Sequence, residues 1–128
     1  MSQVRRARGH AARASGRRAE VIAALWLMAK GYRILGFRLK TPFAEIDLLA
    51  RRGKVLAGVE VKTRASLEAS LAAVGAEQRS RLRRALRFVA SKRRGLAGAV
   101  IRLDLMALAP GRLPRHVRDA WSEDDPFH

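Results

Sequence analysis

Three ionisable side chains on adjoining segments of the chain have the types and the spacing of a hydrolytic metal site. Asp47 lies in the segment AEIDLLA, and Glu60 and Lys62 lie two residues apart in the segment GVEVKTR. Side chains alternate between the two faces of a β-strand, so Glu60 and Lys62 share one face while Val59 and Val61 share the other. The pattern predicts an anion and a cation on the same side of a strand, pointing into either solvent or a sheltered cleft.

The short segment RRG at residues 51–53 predicts an antiparallel hairpin that joins these two strands. In that hairpin Asp47 and Glu60 fall on neighbouring rungs, where their carboxylates come within reach of each other. Like charges that close repel, and burial adds to the conflict, which a divalent cation would resolve. Oxygen ligands suit Mg²⁺ or Mn²⁺. Glu20, the only acid in the first predicted helix, could join the two carboxylates.

Lys62 would give this arrangement its chemistry. Beside a metal-bound water and a substrate phosphate, its ammonium group could help to activate the water or stabilise the developing negative charge. The candidate catalytic residues are Glu20, Asp47, Glu60 and Lys62.

Each of these residues also has a simpler interpretation. Glu60 and Lys62 on a solvent-facing edge would form an ordinary exposed pair, and Glu20 alone is a favourable charge in the first turn of a helix. Asp47 is harder to explain as a structural residue, because aspartate is depleted in strands. Gly58 marks either a bulge or simply room beside Glu60.

The bulk composition restricts the partners and the compartment. The 128 residues carry 27 basic and 11 acidic side chains, a net charge of +16, and include no cysteine. The absence of cysteine excludes disulfides and thiolate metal sites and suits a reducing cytoplasm. The positive charge favours a polyanionic partner, nucleic acid before an anionic membrane. No apolar stretch of the signal-peptide kind precedes Glu20, and the Arg-rich start fits a basic arm better than a mitochondrial transit peptide. The apolar run at residues 21–29 is too short to span a bilayer, so we expect a cytoplasmic protein without a membrane partner.

Hydrophobic periodicity and turn residues predict one α/β domain with the element order helix, three strands, helix, strand. The first helix should begin at Ser15 as its N-cap, and its centre VIAALWLMA, apolar nearly all round, predicts packing on more than one side. The strands are predicted at about residues 32–39, 44–50, 54–62 and 99–108. We divide the chain into a basic flexible arm, a folded domain and an acidic irregular tail, at residues 1–14, 15–118 and 119–128.

The second long helix, predicted at about residues 76–94, is strongly basic. Only Glu77 opposes its eight basic residues, and no acid occurs between Gln78 and Leu103. With Phe88 as its only aromatic residue, the helix should contact phosphates rather than stack on bases. The predicted nucleic-acid-binding residues on this helix include Arg79, Arg83, Arg84, Arg87 and Arg94.

The order of the acids and the lysine carries a resemblance to a known group of enzymes. An acid in the first helix, Asp on a strand and Glu-x-Lys on the next strand resembles the PD-(D/E)XK nuclease superfamily. More closely, GRRAE and GYRILGFRLKTPFAEIDLLARRGKVLAGVEVKTR, followed by AVGAEQRSRLRRAL and IRLDL, resemble the YraN family of bacterial proteins. That family has a restriction-endonuclease-like fold akin to archaeal Holliday junction resolvases. The resemblance implies a three-layer α/β domain with a central mixed β-sheet flanked by helices.

Carried over by position, the resemblance implies roles for individual residues. Glu20, Asp47 and Glu60 would line a Mg²⁺ or Mn²⁺ site, with the main-chain carbonyl of Val61 as a further ligand, and Lys62 would be the catalytic lysine. Gln78 falls where the superfamily often has a helix residue near the site, and it joins the five arginines as a sixth predicted nucleic-acid-binding residue. Ile46 departs from the superfamily pattern, because it stands where proline precedes the aspartate.

Three functions follow from these features. The first is a Mg²⁺- or Mn²⁺-dependent endonuclease acting on DNA, with branched or recombining structures as candidate substrates. The second is a non-catalytic nucleic-acid-binding protein with the same fold, and the third is a basic accessory protein bound to RNA or a ribonucleoprotein. Because resolvase-like relatives often act as dimers, the resemblance also implies a homodimer as one possible assembly.

Overall fold

The computed structural model describes the backbone of residues 2–122 and the side chains of residues 16–122. Its elements, in chain order, are α1 (Ser2–Ala29), β1 (Arg33–Lys40), β2 (Glu45–Arg52), β3 (Val55–Thr63), α2 (Leu67–Ala72), α3 (Ala76–Lys92), a short 3₁₀ turn (Arg94–Leu96), β4 (Val100–Leu108) and β5 (Arg115–Val117). The α/β class and the predicted order of the main elements are confirmed. The short β5 was not predicted.

The five strands form one mixed sheet in the order β1-β2-β3-β4-β5. The first three strands are antiparallel neighbours, and the predicted hairpin is confirmed, with Leu48 opposite Val59 and Arg52 opposite Val55. The chain then crosses over through α2 and α3, so β4 runs parallel to β3. β5 returns antiparallel to β4, where His116 lies opposite Met106.

The two long helices cover opposite faces of this sheet. Alternate residues of the strands belong to different apolar clusters, as expected for side chains with a period of two. Leu48 and Val59 pack with Leu27 of α1, whereas Leu49 and Leu56 belong to the cluster that contains α3. The result is a three-layer arrangement of helix, sheet and helix. In it the start of β2 and the end of β3 lie beside α1.

Gly58 provides room for α3 to approach the sheet. A methyl group at this position would lie 2.8 and 2.9 Å from the two terminal carbons of Leu86, which is itself buried. Gly58 therefore provides room for a neighbouring side chain rather than marking a bulge. The side chain that needs this room is Leu86 and not Glu60.

The first helix differs from its prediction in two respects. It begins at Ser2, not at a cap on Ser15, so residues 2–14 continue α1 rather than preceding it. The prediction that its apolar centre packs on more than one side is wrong. Val21, Leu25 and Met28 are 52%, 60% and 56% exposed, because it is the stripe containing Ala23, Ala24 and Leu27 that meets the sheet.

The end of α3 and the end of the packed region also differ from the sequence prediction. α3 ends at Lys92, so Arg94, predicted as a helix residue, lies in the 3₁₀ turn instead. At the other end of the chain the packed region continues to Trp121, which is buried and donates its indole N–H to the carbonyl of Leu71 at 3.2 Å. The acidic residues of the predicted tail, Glu123 to Asp125, lie outside the described residues.

Candidate functional site

A cleft opens where β2 and β3 separate beside α1. The backbone pairing of the two strands ends at Leu48 and Val59, and small residues of α1 face the opening. The cleft is lined by Gly16, Ala19, Glu20, Asp47, Val61, Lys62, Thr63 and Arg64. Three of the four predicted catalytic side chains therefore line one cleft, and the fourth, Glu60, is buried next to it.

Asp47 lies one residue beyond the last paired rung of β2. Its Oδ2 accepts the backbone N–H of Val61 at 3.0 Å. A carboxylate that accepts a backbone N–H is stabilised in its charged form. This hydrogen bond also fixes Asp47 against the strand that carries Glu60 and Lys62, as the predicted hairpin required.

Glu60 is a buried acid whose environment disfavours its charge. Only 2% of the residue is exposed, and its Oε2 has no hydrogen-bond partner. The pKa of Glu60 is raised to about 9. Burial is the largest cause, followed by the hydrogen bond to the Asp47 side chain and by the charge of Asp47. The charge of Lys62 acts in the opposite direction. Without a cation, Glu60 therefore holds a proton at neutral pH.

Glu20 reaches the same cleft but is held by an arginine that the sequence did not identify. Arg38 of β1 donates its Nε to Oε1 at 3.0 Å, and its Nη2 lies 2.8 Å from Oε2, so the pair is bidentate. Arg38 has a positive φ of 48°, an unfavourable conformation for a residue with a Cβ. No local pattern could have revealed this pair, because its partners lie on different elements.

Lys62 and Arg64 supply the positive charge of the cleft. Lys62 is half-buried and Arg64 is exposed, and both follow Glu60 on or directly after β3. A phosphate group entering the cleft would meet both cations.

The donor set of the cleft fits a small divalent cation in part. Mg²⁺ and Mn²⁺ commonly bind one or two carboxylates and complete their shell with water, and Asp47, Glu60 and the carbonyl of Val61 suit that requirement. The unpartnered Oε2 of Glu60 is the observation that supports the fit. Glu20 does not fit as it stands, because both of its oxygens face Arg38. Within residues 16–122 no three His, Cys, Asp or Glu side chains are already grouped to hold a metal ion.

The predicted nucleic-acid-binding residues of α3 lie elsewhere, since none of them lines the cleft. Arg84 and Arg87 are exposed, and the guanidinium of Arg84 stacks over the ring of Phe43 at 4.6 Å. Arg83 donates to the carbonyl of Trp121, and Arg79 lies over the indole ring of the same residue, so these two arginines also hold the C-terminal segment. The sixth predicted residue, Gln78, is half-buried near the start of α3.

Comparison with known proteins establishes the family of the chain. The model of a family described as "Uncharacterised protein family UPF0102" matches residues 19–108. The chain belongs to the UPF0102 family. This agrees with the YraN-like segments of the sequence, and it says nothing of nuclease chemistry.

Relatives of this UPF0102 chain are similar over almost its whole length. A UPF0102 protein of Caulobacter sp. (strain K31) is 72% identical over 91% of this chain and 84% of its own. One from Caulobacter vibrioides (strain NA1000 / CB15N) is 68% identical, covering 92% and 94% of the two chains. A protein from Maricaulis maris is 46% identical over 89% and 90%.

No helix in the described part of this UPF0102 protein has both the length and the apolar run needed to cross a bilayer.

A second polar cluster lies on the α1 face of the sheet, apart from the cleft. It contains buried Asp104, which bonds Arg102 and His116, and it was not predicted from the sequence. An arginine and an aspartate inside the apolar strand VIRLDLMAL were the available signal.

Proposed function

We propose that this protein is a Mg²⁺- or Mn²⁺-dependent endonuclease that cleaves DNA, with branched or recombining structures as candidate substrates. The single observation that carries the proposal is the pairing of Asp47 with Glu60. A buried carboxyl group with one unpartnered oxygen beside a second acid is costly for the folded state. Active sites are where such perturbed pairs concentrate.

The pair is suited to hold a divalent cation together with the carbonyl of Val61. When bound, Mg²⁺ or Mn²⁺ supplies an activated water and neutralises charge on a phosphodiester. Glu60 would give up its proton on binding, because its raised pKa reflects burial and the adjacent charge of Asp47. Asp47 keeps its position through the N–H of Val61.

Lys62 is the residue of the chain best placed to act on the phosphate. It shares the cleft with Asp47, and its ammonium group can stabilise the negative charge that develops on the phosphodiester. Arg64, at the mouth of the same cleft, would hold an adjacent phosphate as a point of attachment rather than as a participant in the reaction.

The substrate class follows from charge. A net charge of +16 and the exposed arginines of α3 favour a long polyanion. The scarcity of exposed aromatic residues on α3 favours backbone contacts over base recognition, as expected for an enzyme that selects a DNA structure rather than a sequence.

A second function has its own supporting observation. Glu20 is paired with Arg38 in a bidentate ion pair, so one of the predicted metal ligands is occupied by a cation of the protein itself. That arrangement favours a non-catalytic nucleic-acid-binding protein that retains the cleft without a complete metal site.

A cleavage screen separates the two functions. The purified protein is incubated with linear, nicked, flapped and four-way-junction DNA, and with RNA, in Mg²⁺, in Mn²⁺ and in EDTA. For an endonuclease, Asp47→Asn abolishes metal-dependent cleavage, and Lys62→Met lowers the rate at least about 100-fold, the contribution of a strong charge-stabilising group. Glu45→Gln, which removes an exposed acid from the same strand, is the matched control and should cleave like the wild type.

Metal binding is measured separately, by electron paramagnetic resonance of free Mn²⁺. Asp47→Asn should lose Mn²⁺ binding and Lys62→Met should keep it. Cleavage that persists unchanged in Asp47→Asn identifies a contaminating nuclease and contradicts the proposal. Intact DNA binding with neither cleavage nor Mn²⁺ binding establishes the non-catalytic function.

A further inference from the structure

A second site lies outside the cleft and is built around a buried aspartate of β4. Asp104 has no exposed surface. Its Oδ1 accepts the Nε–H of Arg102 at 2.8 Å and the backbone N–H of Asp119 at 3.0 Å. Its Oδ2 lies 2.8 Å both from Nη2 of Arg102 and from Nε2 of His116. The hydrogen bonds and the charge of Arg102 hold the pKa of Asp104 below its usual value despite burial.

These contacts determine the tautomer of His116. Nδ1 of the ring lies 2.6 Å from Nζ of Lys30, at the end of α1. Because a lysine ammonium can only donate, Nδ1 is the acceptor and Nε2 carries the hydrogen that it donates to Asp104. The imidazole side chain is 1% exposed, so a buried side chain supports the ammonium group of Lys30 at the surface.

Further cations crowd around this ammonium group. Arg52 donates to the carbonyl of Lys30 at 3.2 Å and stacks over the ring of Tyr32 at 4.7 Å. Tyr32 in turn meets His116 edge to face. Arg118 is exposed in the turn directly after β5, two residues from His116, and its charge acts on Lys30. The acid that faces these cations, Asp104, is buried and already bonded.

We propose that Lys30, Arg52 and Arg118 form a binding site for a phosphate group, held in place by His116 and Asp104. The hydrogen-bond polarity supports an anion: Lys30, Arg52 and Arg118 are exposed and each presents N–H donors, and the arginine fork suits phosphate oxygens. Partial burial and the charges of Arg118 and Arg52 lower the pKa of Lys30, which an anion would reverse. None of the three cations lines the cleft, so the site stands independently of any nuclease activity.

The phosphate could belong to a nucleic-acid backbone or to a free phosphomonoester, and one experiment addresses both. The side-chain NMR signals of His116 in the whole protein are followed at pH 7 while inorganic phosphate is added, with chloride at matched ionic strength as the reference. We expect a saturable shift in the wild type. Lys30→Gln, which can still donate to Nδ1, and Arg118→Gln should each weaken phosphate binding at least about fivefold.

Arg112→Gln is the matched control, because it removes one exposed cation from outside the cluster and should leave phosphate binding unchanged. If a short DNA duplex displaces the phosphate, the site binds the nucleic-acid backbone. If adenosine 5′-monophosphate displaces it and the duplex does not, the site binds phosphomonoesters. The proposal is overturned if phosphate shifts the His116 signals no more than chloride does, or if Lys30→Gln and Arg118→Gln bind phosphate as tightly as Arg112→Gln.

Discussion

The carboxylate of Asp47 accepts the backbone N–H of Val61 at 3.0 Å, one residue beyond the last paired rung of the β2–β3 hairpin. This hydrogen bond distinguishes Asp47, which lines the cleft, from Glu60, which is buried next to it. Asp47 has a fixed donor for its charge, whereas Glu60 is buried and is the member that carries the proton. The protonation of Glu60 therefore reports on the state of the site.

The pH dependence of stability should reveal this proton. The pKa of Glu60 is raised from 4.5 to about 9 by folding, so between these values the unfolded chain loses a proton that the folded protein keeps. Stability from this group is fully present below pH 4.5 and is lost as the pH rises toward 9. In EDTA, Glu60→Gln should match the wild type near pH 4 and melt higher at pH 8 by at least roughly 5 °C.

Glu45→Gln provides the control for this measurement, because Glu45 is an exposed acid on β2. Its melting temperature should follow the wild type at every pH. Added Mn²⁺ should raise the melting temperature of the wild type and not that of Glu60→Gln. A constant difference between Glu60→Gln and the wild type from pH 4 to 8 would show that Glu60 does not titrate abnormally.

The role of Glu20 can be tested through its partner. Arg38→Gln removes the bidentate ion pair and leaves the Glu20 carboxylate beside the cleft. If Glu20 is a metal ligand, the Mn²⁺ affinity should rise several-fold, and the double variant Arg38→Gln with Glu20→Gln should return to the wild-type affinity or below it. Titration calorimetry measures both. Unchanged Mn²⁺ affinity in Arg38→Gln assigns Glu20 to the ion pair alone.

The exposed face of α3 should bind DNA phosphates. Arg84→Gln with Arg87→Gln should weaken binding to duplex and branched DNA alike. The slope of log affinity against log salt should fall by about one for each phosphate that the variant no longer neutralises. We exclude Arg83 from this variant because it also holds Trp121. Fluorescence anisotropy across a series of salt concentrations gives the slope.

The double variant Arg112→Gln with Arg115→Gln changes the charge of the protein equally but leaves α3 intact. Its salt slope should remain close to that of the wild type. An equal decrease in affinity in both double variants would indicate that overall charge, rather than the face of α3, governs binding.

The close approach of Leu86 to Gly58 predicts a packing defect. An added methyl group at residue 58 would lie 2.8 Å from Leu86, whose side chain is buried and has little space to move. Gly58→Ala should lower the free energy of unfolding by about 1–3 kcal/mol, the usual effect of overpacking. Urea unfolding measures it, and Gly58→Ala in a Leu86→Ala background should cost less. If Gly58→Ala destabilises the protein equally in both backgrounds, contact with Leu86 is not the cause of the destabilisation.

The hairpin and its acids could be predicted because they depend on local pattern. Alternating side chains and a short turn are enough to bring Asp47 next to Glu60. The pair of Glu20 with Arg38, by contrast, joins a helix to a strand whose φ at residue 38 is positive, and sequence periodicity carries no information about either feature.

The cluster around Asp104 was missed for a related reason. His116 lies on a three-residue strand, too short to have a recognisable pattern, and Lys30 is distant from it in sequence. For the exposed apolar residues of α1 the sequence predicted more contact than the structure has. Apolar residues all round a helix indicate that it can pack on several sides, but whether a second surface covers Leu25 depends on tertiary structure or on a partner.

The crossover between β3 and β4 has a consequence for how fast the protein unfolds. Asp47 and Glu60 belong to a local hairpin, whereas β4 must pair with β3 after the chain has passed through α2 and α3, and such non-local pairing is slow. Because Glu60 lies opposite Leu105 of β4, we expect Glu60 to become buried late in folding, when β4 docks. A cost that arises after the transition state acts on the unfolding rate alone. The unfavourable burial of Glu60 beside Asp47 should therefore raise the unfolding rate of the metal-free protein without slowing its folding. A cation bound between the two carboxylates would lower that unfolding rate.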